Sequence, residues 1–203
     1  MNTTTARSLP LIAAALALGL ICEQADAGSA PRPEVTIRID GQVVHVTDGD
    51  TLVLLDGAHR THTVRLASID APETGHGAAR PGQPYSAAAT GHLRRLARGR
   101  HAEATCHQLD IRRREDGTQR VRDICSVVVD GVDLSLAMVD AGLAMAYRQR
   151  PSYLRHPTVL AHEQAARTAR RGLWQQDAPT PPWRWRRDCW AHQRCVGADE
   201  QRP

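Results

Sequence analysis

The sequence has no lysine; Lys plus Arg number 26, and all of them are arginine. Arginine keeps its charge at any physiological pH and meets phosphate with a planar, two-pronged fork. The missing lysine therefore leaves a positive charge that does not titrate away. A codon bias toward arginine is enough to remove lysine, but it says nothing of where the arginines sit. Long apolar runs are also missing beyond residues 9–22, which leaves no later segment able to span a membrane as a helix. No internal repeat is present, so a repeat architecture is not expected.

What is present begins with a leader. Arg7 precedes an apolar run over residues 9–22, broken only by Pro10 and Gly19, and "ADA" at 25–27 supplies small residues for cleavage. This is the layout of a secretory signal peptide, read here as residues 1–27. A lipoprotein reading through Cys22 would need a small residue where Ile21 stands. Cleavage after Ala27 leaves 176 residues, enough for one domain with a real core and a tail. Arg7, Glu23 and Asp26 leave with the leader, so the formal net charge rises from +4 to +5. A basic, arginine-only exported chain suits a polyanionic partner such as nucleic acid. Secretion or a periplasmic location is the expected outcome.

Cysteines are few and even in number once Cys22 is gone: Cys106, Cys125, Cys189 and Cys195. In an oxidising compartment this suggests two disulfides. Cys189 and Cys195 can close a short loop, and Cys106 and Cys125 can then pair across neighbouring strands. Cys189, His192 and Cys195 could instead face zinc, but a fourth nearby ligand is lacking.

Residues 35–39 and 43–46 read as two strands separated by Asp40 and Gly41. Residues 51–55 and 61–69 read as a hairpin around Asp56 and Gly57. A Gly- and Pro-rich loop follows over 70–86, then a helix over 86–99 ending at Gly99. Residues 102–109 and 123–129 read as strands flanking a charged, mobile loop, "DIRRREDGTQR". Asp133 is a candidate N-cap for a short helix stopped by Gly142, and a longer helix is expected over 157–171. About five short strands and three helices point to a small β-barrel or meander with helices. The Pro-, Trp- and Arg-rich stretch 177–203 reads as a tail, closed by a disulfide if Cys189 and Cys195 pair.

Two stretches carry chemistry. "VTDGDTLVLL" places Asp48 and Asp50 around Gly49, and "VRLASIDAPE" places Arg65, Asp70 and Glu73 along one strand and turn. Asp70 can meet Asp50 at one end of a sheet if its strand pairs back. Carboxylates gathered in this way repel unless a cation or proton intervenes, and hard oxygen donors select Ca²⁺ or Mg²⁺. On their own, these acids also fit unrelated surface turns. Gly49 is read as the residue that lets the chain turn so that Asp50 faces inward, with Asp48 a turn former or an outer carboxylate.

"DGDT" followed by "VRLASIDAPE" resembles the staphylococcal nuclease family. "GQPYSAAATGHLRRLARG", "RDICSVVVDGVDLSLAMVDAGLA" and "ARRGLW" extend the resemblance in order across residues 35–174. It implies a five-stranded OB-fold barrel with three helices, spanning a domain read as 28–176. It also implies Ca²⁺-dependent hydrolysis of DNA and RNA, with single strands preferred and 3′-phosphate ends left, by a monomer not attached to a membrane. Asp50 and Asp70 match the metal-binding carboxylates, and Ala71 a position that ligates through its backbone carbonyl. Glu73 matches the carboxylate that activates water, while Arg65 and Arg122 match the two phosphate-clamping arginines. The family's Tyr-Gly-Arg lead-in is replaced here by "RVR", which makes Arg120 a rival to Arg122. Tyr85, Tyr147 and Tyr153 are candidates for base stacking.

The remaining motifs carry blander readings. "HRTH" at 59–62 reads as a solvated hairpin rather than a metal site, and "RRR" at 112–114 as a solvated loop that could touch phosphate. "WRWRRDCW" interleaves Trp and Arg as single-strand binders do, but reads first as rings packed on the barrel. Trp174 reads as core. Two rival classes stand beside a nuclease: an inactive OB module that only binds nucleic acid, and a disulfide-stapled interaction domain.

Overall fold

The break expected at Asp40 and Gly41 does not occur: β1 runs unbroken from Ile37 to Asp48 (Ile37–Asp48). Gly41 is there for room, not for a turn. A Cβ on it would stand 2.4 Å from the Leu55 carbonyl oxygen, so only glycine lets the neighbouring strand approach. This computed structural model describes residues 36–113, 117–149 and 153–195, along with Met1. The expected leader, Cys22 and Arg114 lie outside the described residues, as do the side chains of Arg112 and Arg120. All described residues but Met1 belong to one compact unit, Glu34–Pro203.

Beyond β1 come β2 (Thr51–Asp56), β3 (Thr61–Leu66) and the short β4 (Ile69–Asp70). Helix α1 (Ser86–Ala97) precedes two long strands, β5 (His101–Arg113) and β6 (Gln119–Val129). Then follow β7 (Val132–Asp133), α2 (Leu134–Asp140), β8 (Met145–Ala146) and α3 (Val159–Thr168). A 3₁₀ turn (Gly172–Gln175) leads to the four-residue α4 (Pro182–Trp185) and a π-helical turn (Arg186–Ala191). The charged segment read as a mobile loop is largely strand: β5 and β6 pair out to Arg113 and Gln119. The fourth short helix lies in the tail.

The sheet runs β3-β2-β1-β5-β6-β7, and parallel pairing of β3 with β6 closes five of its strands into a barrel. The architecture is mainly β with helices, as an OB-fold requires. Bulges between Val43 and His45, and between Val46 and Asp48, shift the register so that Val43 and Val46 both point inward. Leu52, Leu54, Val64, Leu66 and Val127 fill the barrel with them, and Leu93 of α1 and Met138 of α2 join the same core. Asp133 caps α2 by accepting the Leu136 N–H at 2.9 Å.

Both expected disulfides are formed. Cys106 faces Cys125 in the β5–β6 register and is bonded to it, and Cys189 is bonded to Cys195. The second bond uses both sulfurs that a zinc reading needed. Trp174 is buried as expected, in a small cluster with Met145, Ala166 and Leu173.

Candidate active site

Three strands bring the first site residues to one end of the barrel. Asp50 sits at the corner between β1 and β2, and its carbonyl accepts the Leu66 N–H at 2.8 Å. Arg65 lies opposite Thr51 on β2 and beside Ile124 on β6, so it stands between the strands that carry Asp50 and Arg122. The strand expected over 61–69 breaks at Ser68, which has φ 69°. The chain then re-enters as β4 and pairs with β8, Asp70 opposite Met145. That turn is what swings Asp70 back toward Asp50.

Gly49 stands in the turn that leads to the buried Asp50, and what it supplies there is room rather than an unusual backbone angle. It is not in the left-handed region; instead, a Cβ on it would stand 2.7 Å from the Cβ atoms of both Ala71 and Ala89. Its bareness lets the Asp50 corner press against α1 and the Ala71 backbone. Asp48 forms the turn, accepting the Asp50 N–H at 3.2 Å.

The polar contacts are dense. Arg65 donates through Nη1 to Asp50 Oδ1 at 2.9 Å and through Nη2 to Asp70 Oδ1. Asp50 Oδ2 accepts the Ala71 N–H at 3.0 Å, and Asp50 Oδ1 also accepts Thr51 Oγ1 at 2.9 Å. Asp50 is 3% exposed and Asp70 is fully buried. Arg122, 5% exposed, pairs with Asp110 across β5–β6, while its Nε–H is buried with no partner among the described residues. Asp50, Arg65, Ala71, Asp110 and Arg122 border one cleft of about 410 Å³, which Tyr147, Tyr153 and Trp190 also line. Tyr147 and Tyr153 have ring centroids 5.6 Å apart, whereas Tyr85 packs instead against the Trp174 cluster.

A residue absent from the sequence-based site stands in its middle. Arg186, in the tail, donates through Nη2 to Asp70 Oδ2 at 2.7 Å and through Nη1 to Asp70 Oδ1 at 3.2 Å and to Glu73 Oε1. Asp48, Asp50, Asp70 and Glu73 thus gather around Arg65 and Arg186, with Arg122 acting on Asp50 through its charge, so the acids outnumber the arginines beside them. Electrostatics register the surplus. Burial, with the charges of Asp70 and Asp50, pushes Glu73 up to about 7 despite Arg186 beside it. Burial and the charge of Asp50 likewise push Asp48 up to about 7. Burial opposes ionisation of Asp50 too, but Arg65 and the Ala71 N–H hold it below the usual carboxylate range. Arg65 and Arg186 are held above the ordinary arginine value against their burial, by these carboxylates.

Among the described residues, no three His, Cys, Asp or Glu side chains gather tightly enough to hold a metal ion by themselves. Arg65 bridges Asp50 and Asp70 in that role. The donor chemistry nevertheless fits a hard divalent ion, since it offers carboxylate and carbonyl oxygens. His76 lines the cleft, whereas the paired histidines of the hairpin lie elsewhere. His62 Nε2 lies 2.9 Å from Asp56 Oδ2, on the hairpin, where it is a surface contact.

The barrel and the relatives that the chain matches make it a nuclease, a phosphodiester hydrolase. The chain belongs to the staphylococcal nuclease homologue family, whose model matches residues 63–176. It is 33% identical over 154 residues to an uncharacterized endonuclease of Escherichia coli O157:H7, covering 76% of this chain and 89% of that protein. A protein of Escherichia coli named ParB is 33% identical over 184 residues, covering 90% of this chain and 94% of its own. A micrococcal nuclease of Shigella flexneri is 32% identical over 151 residues, covering 72% and 80%.

Proposed function

We propose that this chain is an exported, Ca²⁺-dependent nuclease that hydrolyses phosphodiester bonds of DNA and RNA and leaves 3′-phosphate ends. The observation that carries the reading is the charge layout of the cleft. Four carboxylates gather around Arg65 and Arg186, beside an Arg122 whose Nε–H is buried without a partner among the described residues. An unpaired buried donor costs free energy, and a phosphate oxygen is a ligand that would satisfy it. Asp50, Asp70 and the Ala71 carbonyl would hold the calcium, which supplies a Lewis acid for the phosphoryl oxygens.

The chain's own residues do the rest. Arg65 and Arg122 grip non-bridging oxygens and stabilise the charge that grows on them in the transition state. Glu73, with its carboxyl raised to about 7, is suited to accept a proton from the attacking water near neutral pH. Tyr147 and Tyr153 offer flat faces to unstacked bases, which favours single strands. We assign the clamp to Arg122, which borders the cleft; the side chain of its rival Arg120 lies outside the described residues. Export is supported by the two disulfides, and no helix among the described residues is long and apolar enough to cross a membrane.

The test is incubation of the chain with denatured DNA and with RNA, first with Ca²⁺ and then with chelator, followed by analysis of the ends. Cleavage that needs Ca²⁺ and yields 3′-phosphates is expected. Binding without cleavage would replace the proposal with the inactive OB module.

A further inference from the structure

We propose that Arg186, from the tail outside the residues matched by the family model, is a third substrate-binding guanidinium of the active site. The inference rests on the nuclease reading above. Its first support is position. Arg186 spans Asp70 and Glu73 with both arms of its fork and borders the same cleft as Arg65 and Arg122. Its second support is that the tail is built to keep it there. The Cys189–Cys195 disulfide closes the segment just beyond it. Trp190 Nε1 donates to the Pro81 carbonyl at 2.9 Å, and the buried Trp185 donates to the same oxygen at 3.3 Å. Gln83 links both sides: its Nε2 donates to the Thr180 carbonyl at 2.6 Å, and its Oε1 accepts the Glu73 N–H at 3.3 Å. The loop that carries Glu73 and the segment that carries Arg186 are therefore fastened to each other.

The chemistry follows from what a guanidinium fork recognises. Carboxylate and phosphodiester offer it the same pair of oxygens, so a fork seated on one is shaped for the other. Asp70 is shared by Arg65 and Arg186, and it is also one of the acids assigned to the divalent ion. An ion that takes Asp70 competes with Arg186. The displaced guanidinium then lies in the cleft where the scissile phosphate must sit. Arg186 thus has two effects of opposite sign: it opposes the cation in the free protein and holds the nucleic acid in the complex. A purely structural prop would have one sign, since its loss would weaken both ligands.

The experiment compares the wild-type chain with Arg186→Ala in two titrations. The first is calorimetric titration with Ca²⁺ alone. The second is binding of a nuclease-resistant phosphorothioate single strand at saturating Ca²⁺ over a range of salt. The variant is expected to bind Ca²⁺ on the order of fivefold more tightly, because one competing cation has gone. It is expected to bind the strand on the order of tenfold more weakly, with a salt slope shallower by about 0.7. If Arg186→Ala does not fold, Arg186→Gln keeps a donor for Asp70 and should show the same pair of opposite shifts. Loss of both affinities together, or wild-type values in both, overturns the inference. If the wild type cleaves with Ca²⁺ and only these shifts are missing, this inference fails alone. A wild-type chain that neither binds Ca²⁺ nor cleaves overturns the nuclease reading as well.

Discussion

Asp70 and Glu163 are both buried carboxylates met by two arginines, yet they are built for different ends. Glu163, 1% exposed on α3, takes Arg148, Arg167 and the Ala146 N–H at 3.0 Å. One negative charge faces two half-exposed guanidiniums; Arg148 and the Ala146 N–H tie α3 to β8 and the residues just after it, while the Arg167 contact stays within α3. Asp70 belongs to a group with too many acids: four carboxylates share Arg65 and Arg186, and two of the four are pushed up to about 7 by burial and by one another. The contrast separates anchoring from poising. A carboxylate whose partners cancel it holds elements together, while one whose neighbours leave a surplus is arranged for a ligand the fold does not itself supply.

The largest expected effect is on turnover. Glu73→Gln keeps shape and hydrogen bonding but removes the proton acceptor, and Arg65→Ala removes a clamp. Each should cost about 3 kcal/mol of barrier, a hundredfold or more in kcat, with the barrel still folded in calcium buffer. Near-normal kcat in either variant removes that residue from the mechanism. Glu163→Ala should do the reverse. Stranding Arg148 and the Ala146 N–H is expected to lower stability by about 3 kcal/mol in urea unfolding, while kcat per folded molecule stays within about twofold. If Glu163→Ala stops cleavage in protein that remains folded, the division between anchor and site breaks down.

The acid side of the site was legible because its residues lie within short stretches. A strand ending at Asp70, and a turn at Asp50, can be read from alternation and from "DGD" and "DAPE". Arg186 was not legible. Its partner Asp70 is 116 residues away, and no periodicity links a tail arginine to a strand end at that distance. The interleaved Trp and Arg mark the tail, but first as a packing surface. Gly41 shows the same limit in the fold. Asp40 and Gly41 look like the true turn at Asp56 and Gly57, and only the Leu55 carbonyl pressed against Gly41 distinguishes them. The closure of β3 onto β6 is likewise a long-range event that strand patterns cannot express, which is why it came with the family resemblance and not from the residues.

The pH dependence of stability sharpens the comparison further, since it reports the surplus directly. In chelator, Glu73 and Asp48 have folded-state values of about 7 against ordinary ones of 4.5 and 3.8. The folded chain therefore binds more protons than the unfolded one across that window. The stabilisation is full below about pH 4 and is lost as pH rises through 7. Glu73→Gln should remove part of the slope and exceed the wild type in stability at pH 8, by about 1 kcal/mol, in metal-free urea titrations. A wild-type curve that instead rises from pH 5 to 8 would mean that the acids are already balanced.

The smallest effect belongs to Asp56, a carboxylate on the surface hairpin. The hydrogen bond from His62, followed by the contacts with Arg60, holds it well below the usual carboxylate range. Its sign is opposite to that of Glu73: the contribution is present above about pH 4 and disappears as acid protonates it. Asp56→Asn should lower the melting temperature slightly at pH 7, by a difference that shrinks steadily as pH falls below about 4. Because this cluster faces water, 0.5 M salt should erase much of the difference at pH 7, which it should not do for the buried acids of the cleft. A salt-insensitive Asp56 would mean that its backbone hydrogen bonds, from Ala58 and Arg60 at 2.9 Å each, outweigh its charge.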